Sequence, residues 1–150
     1  MNTQKVVIRQ NSNFESEILA MDPHVPESRE LKPIVYIHDL NPYGMLLASL
    51  GLCTAIVLHT YAQYHDLDLQ EVELTLEYQR VFAEDCKDCE NINEYMEQIH
   101  QELKFTGDFD RKEYDKLLKI ANQCPIHKII GKSVKIQSRI FPLPVGERVG

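Results

Sequence analysis

Basic residues are scarce in this chain: 16 Lys and Arg stand against 23 Asp and Glu, a formal charge of −7. That balance excludes nucleic acid or an anionic membrane as the main partner, because both require clustered positive charge. Long apolar runs are also missing. The longest, Met45 to Leu58, spans 14 residues even with Ser49 and Thr54 counted, and a bilayer needs about 20. The start of the chain, Met1 to Lys5, leads only into a short Val6-Val7-Ile8 run, without the apolar stretch and small-residue cleavage site of a secretory signal. Four cysteines in 150 residues are too few for a secreted disulfide scaffold. The expectation is a cytosolic, cytoplasmic protein whose cysteines begin as thiols. There is no tryptophan, no Gly-rich phosphate loop, no GxSxG nucleophile turn and no HExxH; His59 and His65 are six apart and do not share a helix face.

What is present reads as one globular domain over residues 1–150, with 43% apolar and 26% charged residues. A chain of this length buries roughly 70% of its unfolded surface without staples. No repeat or linker divides it. Lys5 to Gln10 reads as a strand, Asn11-Ser12-Asn13 as a turn, and Phe14 to Met21 as the returning arm of a hairpin. Asp22 to Pro26 is a proline-bearing loop, and Pro33 to His38 alternates as a further strand, so strands occupy about residues 1–40. Leu69 to Phe82 alternates, with Val72, Leu74, Leu76 and Tyr78 on one side and Glu73, Thr75, Glu77 and Gln79 on the other. Ile99, Leu103 and Phe105 suit another strand ending at Gly107, with a helix over 94–101 as the alternative. Asp110 and Glu113 start a capped helix that carries Tyr114, Leu117, Leu118 and Ala121. Pro125 breaks it, a further turn follows to Ile130, and Val134 to Ile140 alternates as a last strand. The tail from about 141 to 150 is expected to be loose.

Between these sets of strands, Asn41-Pro42 signals a helix start, with Asn as cap and Pro at the first position. The helix runs to about His65. From Met45 to Leu58 it is apolar on nearly every side, which an exposed amphipathic helix is not. Gly44 and Gly51 lie near one face and would allow close approach of another backbone. The class is α+β, with a long buried helix covered by antiparallel strands. That helix needs more cover than one chain provides, so an intertwined homodimer is expected.

Cys53 lies within this helix and Cys124 in Asn122-Gln123-Cys124-Pro125-Ile126-His127. Cys53 alone reads as a buried structural thiol, as free cysteines often are. Cys124 reads in two ways. It caps the short Pro125–Ile130 turn, with backbone N–H groups favouring its thiolate and His127 placed to donate to the sulfur; or it closes an apolar face, with His127 on the surface. Cys86-Lys87-Asp88-Cys89 supplies two thiols, half of a structural zinc set, or an exposed thiol pair or local disulfide.

The stretch Asn41-Pro42-Tyr43-Gly44-Met45-Leu46-Leu47-Ala48-Ser49-Leu50-Gly51-Leu52-Cys53 resembles the central helix of the OsmC/Ohr family of organic hydroperoxide reductases. Cys124-Pro125-Ile126-His127-Lys128 resembles that family's second cysteine motif, and Ser133-Val134-Lys135-Ile136 its ending. The resemblance covers roughly residues 34 to 140. It implies an OsmC-like fold and a Cys53/Cys124 redox pair. Cys53 attacks an organic hydroperoxide and becomes sulfenic acid, Cys124 resolves it to a disulfide, and an external thiol or dithiol resets the pair. No cofactor and no metal are implied. The apolar neighbours Met45, Leu46, Leu50 and Ile56 are expected to line the substrate pocket.

The chain departs from the family at position 43. Peroxidase members resemble one another in a Glu ten residues before the helix cysteine, which orients an arginine; here that residue is Tyr43. Arg9 and Arg29 are the candidate arginines, and both also read as ordinary surface residues. The alternative function is a non-catalytic protein of the same fold that binds a small ligand and keeps its cysteines for structure.

Overall fold

The computed structural model describes residues 4–25, 27–82 and 95–142. The Cys86 to Cys89 segment and the tail beyond Pro142 lie outside the described residues. Six strands form one sheet: β1 (Gln4–Asn11), β2 (Ser16–Met21), β3 (Leu31–Pro33), β4 (Asp68–Phe82), β5 (Tyr95–Asp108) and β6 (Lys135–Ile140), in the spatial order β3-β2-β1-β4-β5-β6. Among the described residues three α-helices accompany it: α1 (Pro42–Tyr64), α2 (Arg111–Ala121) and α3 (Pro125–Ile130). The class is α+β, as expected.

Alternation sets the faces of the sheet. Val6 and Ile8 of β1, Val72, Leu74, Leu76 and Tyr78 of β4, and Ile99, Leu103 and Phe105 of β5 are buried on the inner face. The register holds them in rows: Ile8 lies opposite Leu74, and Leu74 opposite Leu103. β5 runs as a strand from Tyr95, which removes the helical alternative over 94–101.

Two expectations need correction. The sheet is mixed, because β6 runs parallel to β5. Parallel neighbours need a crossover, and α2 and α3 form it. The expected strand over Pro33 to His38 is not one: β3 ends at Pro33, and Ile37–Asp39 is a 3-10 turn, closed by Asp39 N–H to Tyr36 O at 2.9 Å. Val35, Tyr36 and Ile37 are 77%, 62% and 68% exposed, so their alternation has no core to bury against.

α1 starts as its sequence dictates. Asn41 Oδ1 accepts the Gly44 N–H at 2.7 Å, with Pro42 at the first position. The helix then crosses the inner face of β1 and β4. Gly51 makes this crossing close: a Cβ there would stand 2.7 Å from Ile8 Cγ1 and 2.8 Å from Leu76 Cδ1. α1 is long and apolar enough to cross a membrane, yet half of its most apolar window is buried within the fold, as in a core helix. α2 opens with the expected capping box, Glu113 N–H to Asp110 Oδ1 at 2.8 Å and Asp110 N–H to Glu113 Oε1 at 3.0 Å. Both α2 and α3 pack against α1, so α1 has the sheet on one side and these two short helices along part of another.

Candidate active site

Cys53 sits mid-way along α1 on the side turned away from the sheet, and Cys124 immediately precedes α3. The packing of α3 on α1 brings them together. The Cys124 side chain lies close enough to the Cys53 thiol to act on its ionisation, although the two are 71 residues apart in sequence. Both are free thiols; Cys53 is partly exposed and Cys124 has no exposed surface.

The backbone N–H that the sequence seemed to offer Cys124 goes elsewhere. Cys124 occupies the cap position of α3, but its side chain makes no cap hydrogen bond. Its side chain is fully buried, and the Ile126 backbone N–H favours the Cys53 thiolate instead. Pro125 has no N–H of its own, so Ile126 supplies the first free donor of α3. The local argument for an activated Cys124 is thereby overturned, and the stabilising dipole faces Cys53. Burial nevertheless pushes the Cys53 thiol above its ordinary range, and the neighbouring Cys124 adds to this; the Ile126 N–H opposes both.

The other predicted residues are placed as follows. His127 follows Ile126 on α3, half-buried, and burial lowers its pKa from the usual histidine value; its ring bonds its own backbone, and Nε2 is shielded without a partner. It is thus neutral near pH 7 and supplies no cation to the thiols. Arg9 lies on the sheet face opposite α1, since its neighbour Ile8 meets Gly51. Its Nε donates to Glu73 Oε1 at 2.6 Å, and Glu17 lies 3.7 Å away. Strand alternation thus removes Arg9 from the cysteine side. Arg29 is exposed in the loop before β3. Tyr43, in the first turn of α1, stacks on Tyr78 with centroids 4.7 Å apart, and the Tyr78 hydroxyl donates to Glu97 Oε1 at 2.8 Å. A ring stack therefore stands where the resembling peroxidases carry a carboxylate.

Of the four expected pocket residues only Ile56 lines the apolar groove on the outward side of α1, and neither cysteine is in its wall. The groove has a volume of about 380 Å3 and is also walled by Val57, Tyr61 and Tyr64 of α1 and by Ile120 and Gln123. Ile56 and Val57 are one helical turn from Cys53, and Gln123 precedes Cys124. Leu50 is fully buried in the core, while Met45 is partly exposed and Leu46 half-buried toward the start of α1. The groove therefore lies along the second half of α1, beginning one turn past Cys53, and not toward its start. A larger polar depression of about 600 Å3, with Lys5, Glu77, His100 and Arg139 in its wall, lies on the outer face of the sheet. Among the described residues no group of three or more His, Cys, Asp or Glu is arranged to hold a metal ion.

Residues 38–139 match the family model for OsmC-like proteins. The chain belongs to the OsmC-like family. Solved structures with the same fold include the organic hydroperoxide resistance protein OhrB of Bacillus subtilis, at 16% identity and TM-score 0.54, covering 91% of this chain and 96% of that one. An organic hydroperoxide resistance protein OsmC from Legionella pneumophila is 14% identical, with TM-score 0.54 and coverage of 93% and 97%. An OsmC-like hydroperoxide resistance protein from Jannaschia sp. CCS1 is 12% identical, with TM-score 0.56 and coverage of 98% and 97%. No curated protein matches this chain in sequence. At these identities the structural likeness establishes the OsmC-like fold and leaves this chain's chemistry to be argued from its own residues.

Two features of the OsmC-like site were not foreseen from sequence. The Ile126 N–H was readable in principle, since Pro at the first helical position passes the donor role to the next residue. The Tyr78–Glu97 support beneath Tyr43 has no sequence signal, because it depends on which side chains of β4 and β5 fall under the first turn of α1.

Proposed function

We propose that this OsmC-like protein is a thiol-dependent peroxidase that reduces organic hydroperoxides through Cys53 and Cys124. The observation that supports this most is the approach of two free thiols from distant segments, close enough that one acts on the ionisation of the other, one helical turn from an apolar groove. The Cys53 thiolate attacks the peroxide O–O bond; it takes one oxygen as sulfenic acid and the other leaves as alkoxide, which collects a proton to become the alcohol. The Cys124 thiol then displaces hydroxide from the sulfenic acid, giving the Cys53–Cys124 disulfide and water. Two external thiols, or one dithiol, return the pair to thiols and leave as a disulfide. Cys124 and the Ile126 N–H hold the attacking sulfur, and Ile56, Val57 and Ile120 receive the organic part of the peroxide. In this reading His127 and Tyr43 act only in support, and neither the exposed Arg29 nor Arg9, on the far side of the sheet, is given a step.

The reading includes an intertwined homodimer in the cytoplasm. The outward side of α1 carries Met45, Ile56 and Tyr64 at 38%, 46% and 86% exposure, an apolar face that a second copy would cover. The test is peroxide consumption with a dithiol reductant. Cys53→Ser and Cys124→Ser each lower turnover of an organic hydroperoxide to background; parent-like rates in both variants would refute catalysis by this pair.

A second reading is favoured by Tyr43 and by the upward shift of the Cys53 thiol. With no carboxylate at position 43, the same groove would hold a small apolar ligand and the thiols would be structural. Saturable ligand binding that survives both serine substitutions, with no peroxide turnover in the parent, would favour it.

A further inference from the structure

One histidine is sealed in the core on the side of α1 away from the thiols. His59 has no exposed surface, and its Nε2 lies 2.9 Å from the Gln10 carbonyl oxygen at the end of β1. One turn later Gln63 Nε2 donates to the Ser12 carbonyl at 2.8 Å. Between β1 and β2 the hairpin tip places Phe14 in the left-handed region, φ 63°, with its ring edge-on to His59 at 6.0 Å. That backbone conformation is uncommon for a bulky residue and needs surrounding contacts to hold it. Three contacts thus fasten the tip to α1, and two of them use the His59 ring. The latch is under-satisfied: His59 Nδ1 and Gln10 Oε1 are buried without partners.

We propose that His59 is an acid-sensitive latch which releases the β1–β2 tip from α1 when its ring is protonated. With Nε2–H given to Gln10, the incoming proton must go to Nδ1, where it adds a buried charge with no acceptor in place. Among the described residues no counter-charge faces it. The inner-face neighbours are Ile8 and Gln10 of β1, Ile18 and Ala20 of β2, and Val72 and Leu74 of β4, none of which titrates. Arg9, Glu17, Glu71 and Glu73 belong to the outer face, and α2 packs on the flank of α1 that carries Val57 and Tyr61. The carboxylate of the tip, Glu15, is engaged with Asn11 Nδ2 at 2.9 Å. Burial lowers the His59 pKa from 6.5. A histidine lowered on docking favours the docked tip fully above about pH 6.5, and the advantage falls as pH drops below that value.

Amide hydrogen exchange at Asn11 and Phe14, whose N–H groups bond within the tip, tests this in the whole protein. Protection factors there should fall up to about tenfold between pH 7.5 and 5.5, the ceiling set by a free histidine near 6.5, while core amides such as Leu74 hold. In His59→Gln, which keeps a neutral donor, tip protection should not change with pH. Equal acid loss in parent and variant, or tip protection that rises on acidification because Gln10 Oε1 accepts the new proton, overturns the proposal. Should His59→Gln not fold, the ring titration of His59 followed by NMR in the parent must share its midpoint with the tip resonances. A tip that stays protected through the histidine range and opens only at lower pH contradicts it.

Discussion

On the sheet side of α1, Gly51 leaves no room for a methyl group between the helix and Ile8 and Leu76, and the surrounding side chains have almost no exposed surface. On the opposite side, Cys53 is partly open, and Ile56 and Tyr64 meet no part of the described protomer that would bury them. Both sides are apolar in sequence. The difference is what meets them: a pleated surface with complementary shape on one, and on the other a short helix, a groove and open space. An apolar helix face therefore carries two meanings, and only the element packed against it tells them apart.

The comparison can be broken at several points. The largest effect belongs to the open side: replacing either Cys53 or Cys124 by Ser is expected to remove thiol-dependent peroxide turnover, with a thermal midpoint close to the parent's for the partly exposed Cys53 and a lower one for the fully buried Cys124. On the same side, the raised Cys53 thiol predicts an alkylation rate that climbs about tenfold per pH unit between pH 7 and 8.5, because only the thiolate reacts and its fraction is still small there. A plateau reached by pH 7 would show that a cation outside this protomer offsets burial. On the closed side, Gly51→Ala should destabilise the protein by about 1–3 kcal/mol, the usual range for overpacking a tight contact. Denaturant melts check this, and they should show an intact thiol pair under native conditions. Asn41→Ala, which removes the cap of α1, should lower stability by about 1 kcal/mol. Ile56→Glu combined with Tyr64→Glu should shift the protein to monomer by sedimentation with little change in folding; an unchanged association state would mean the open side of α1 is not the interface.

Much of this architecture was legible. Asn41-Pro42 fixed where α1 begins, Asp110 and Glu113 where α2 begins, and the two-residue period of β4 sorted Leu74 from Thr75 correctly. The pairing of Cys53 with Cys124 followed from motif order by resemblance, because no local pattern links residues 71 apart. What failed did so for physical reasons. Pro33 to His38 alternates, yet alternation makes a strand only where one face finds a core, and Val35 to Ile37 find none. Arg9 was a fair candidate until β1 put it in register with Glu73 on the outer face. The backbone N–H groups opening α3 were expected to face Cys124, but the cap residue's side chain makes no such bond, and the Ile126 N–H favours the Cys53 thiolate. Leu50 was assigned to the pocket because its neighbours on the helix are apolar, but apolarity does not distinguish a wall from a core.

The most direct test of the account is the product of one oxidising equivalent. The reduced protein is treated with a stoichiometric organic hydroperoxide, free thiols are capped, and the peptides are mapped by mass spectrometry. The account predicts a Cys53–Cys124 disulfide, with two hydrogens lost and one equivalent of alcohol formed. Cys53 driven to sulfinic acid while Cys124 remains free to be capped, or both thiols recovered unreacted, would contradict it.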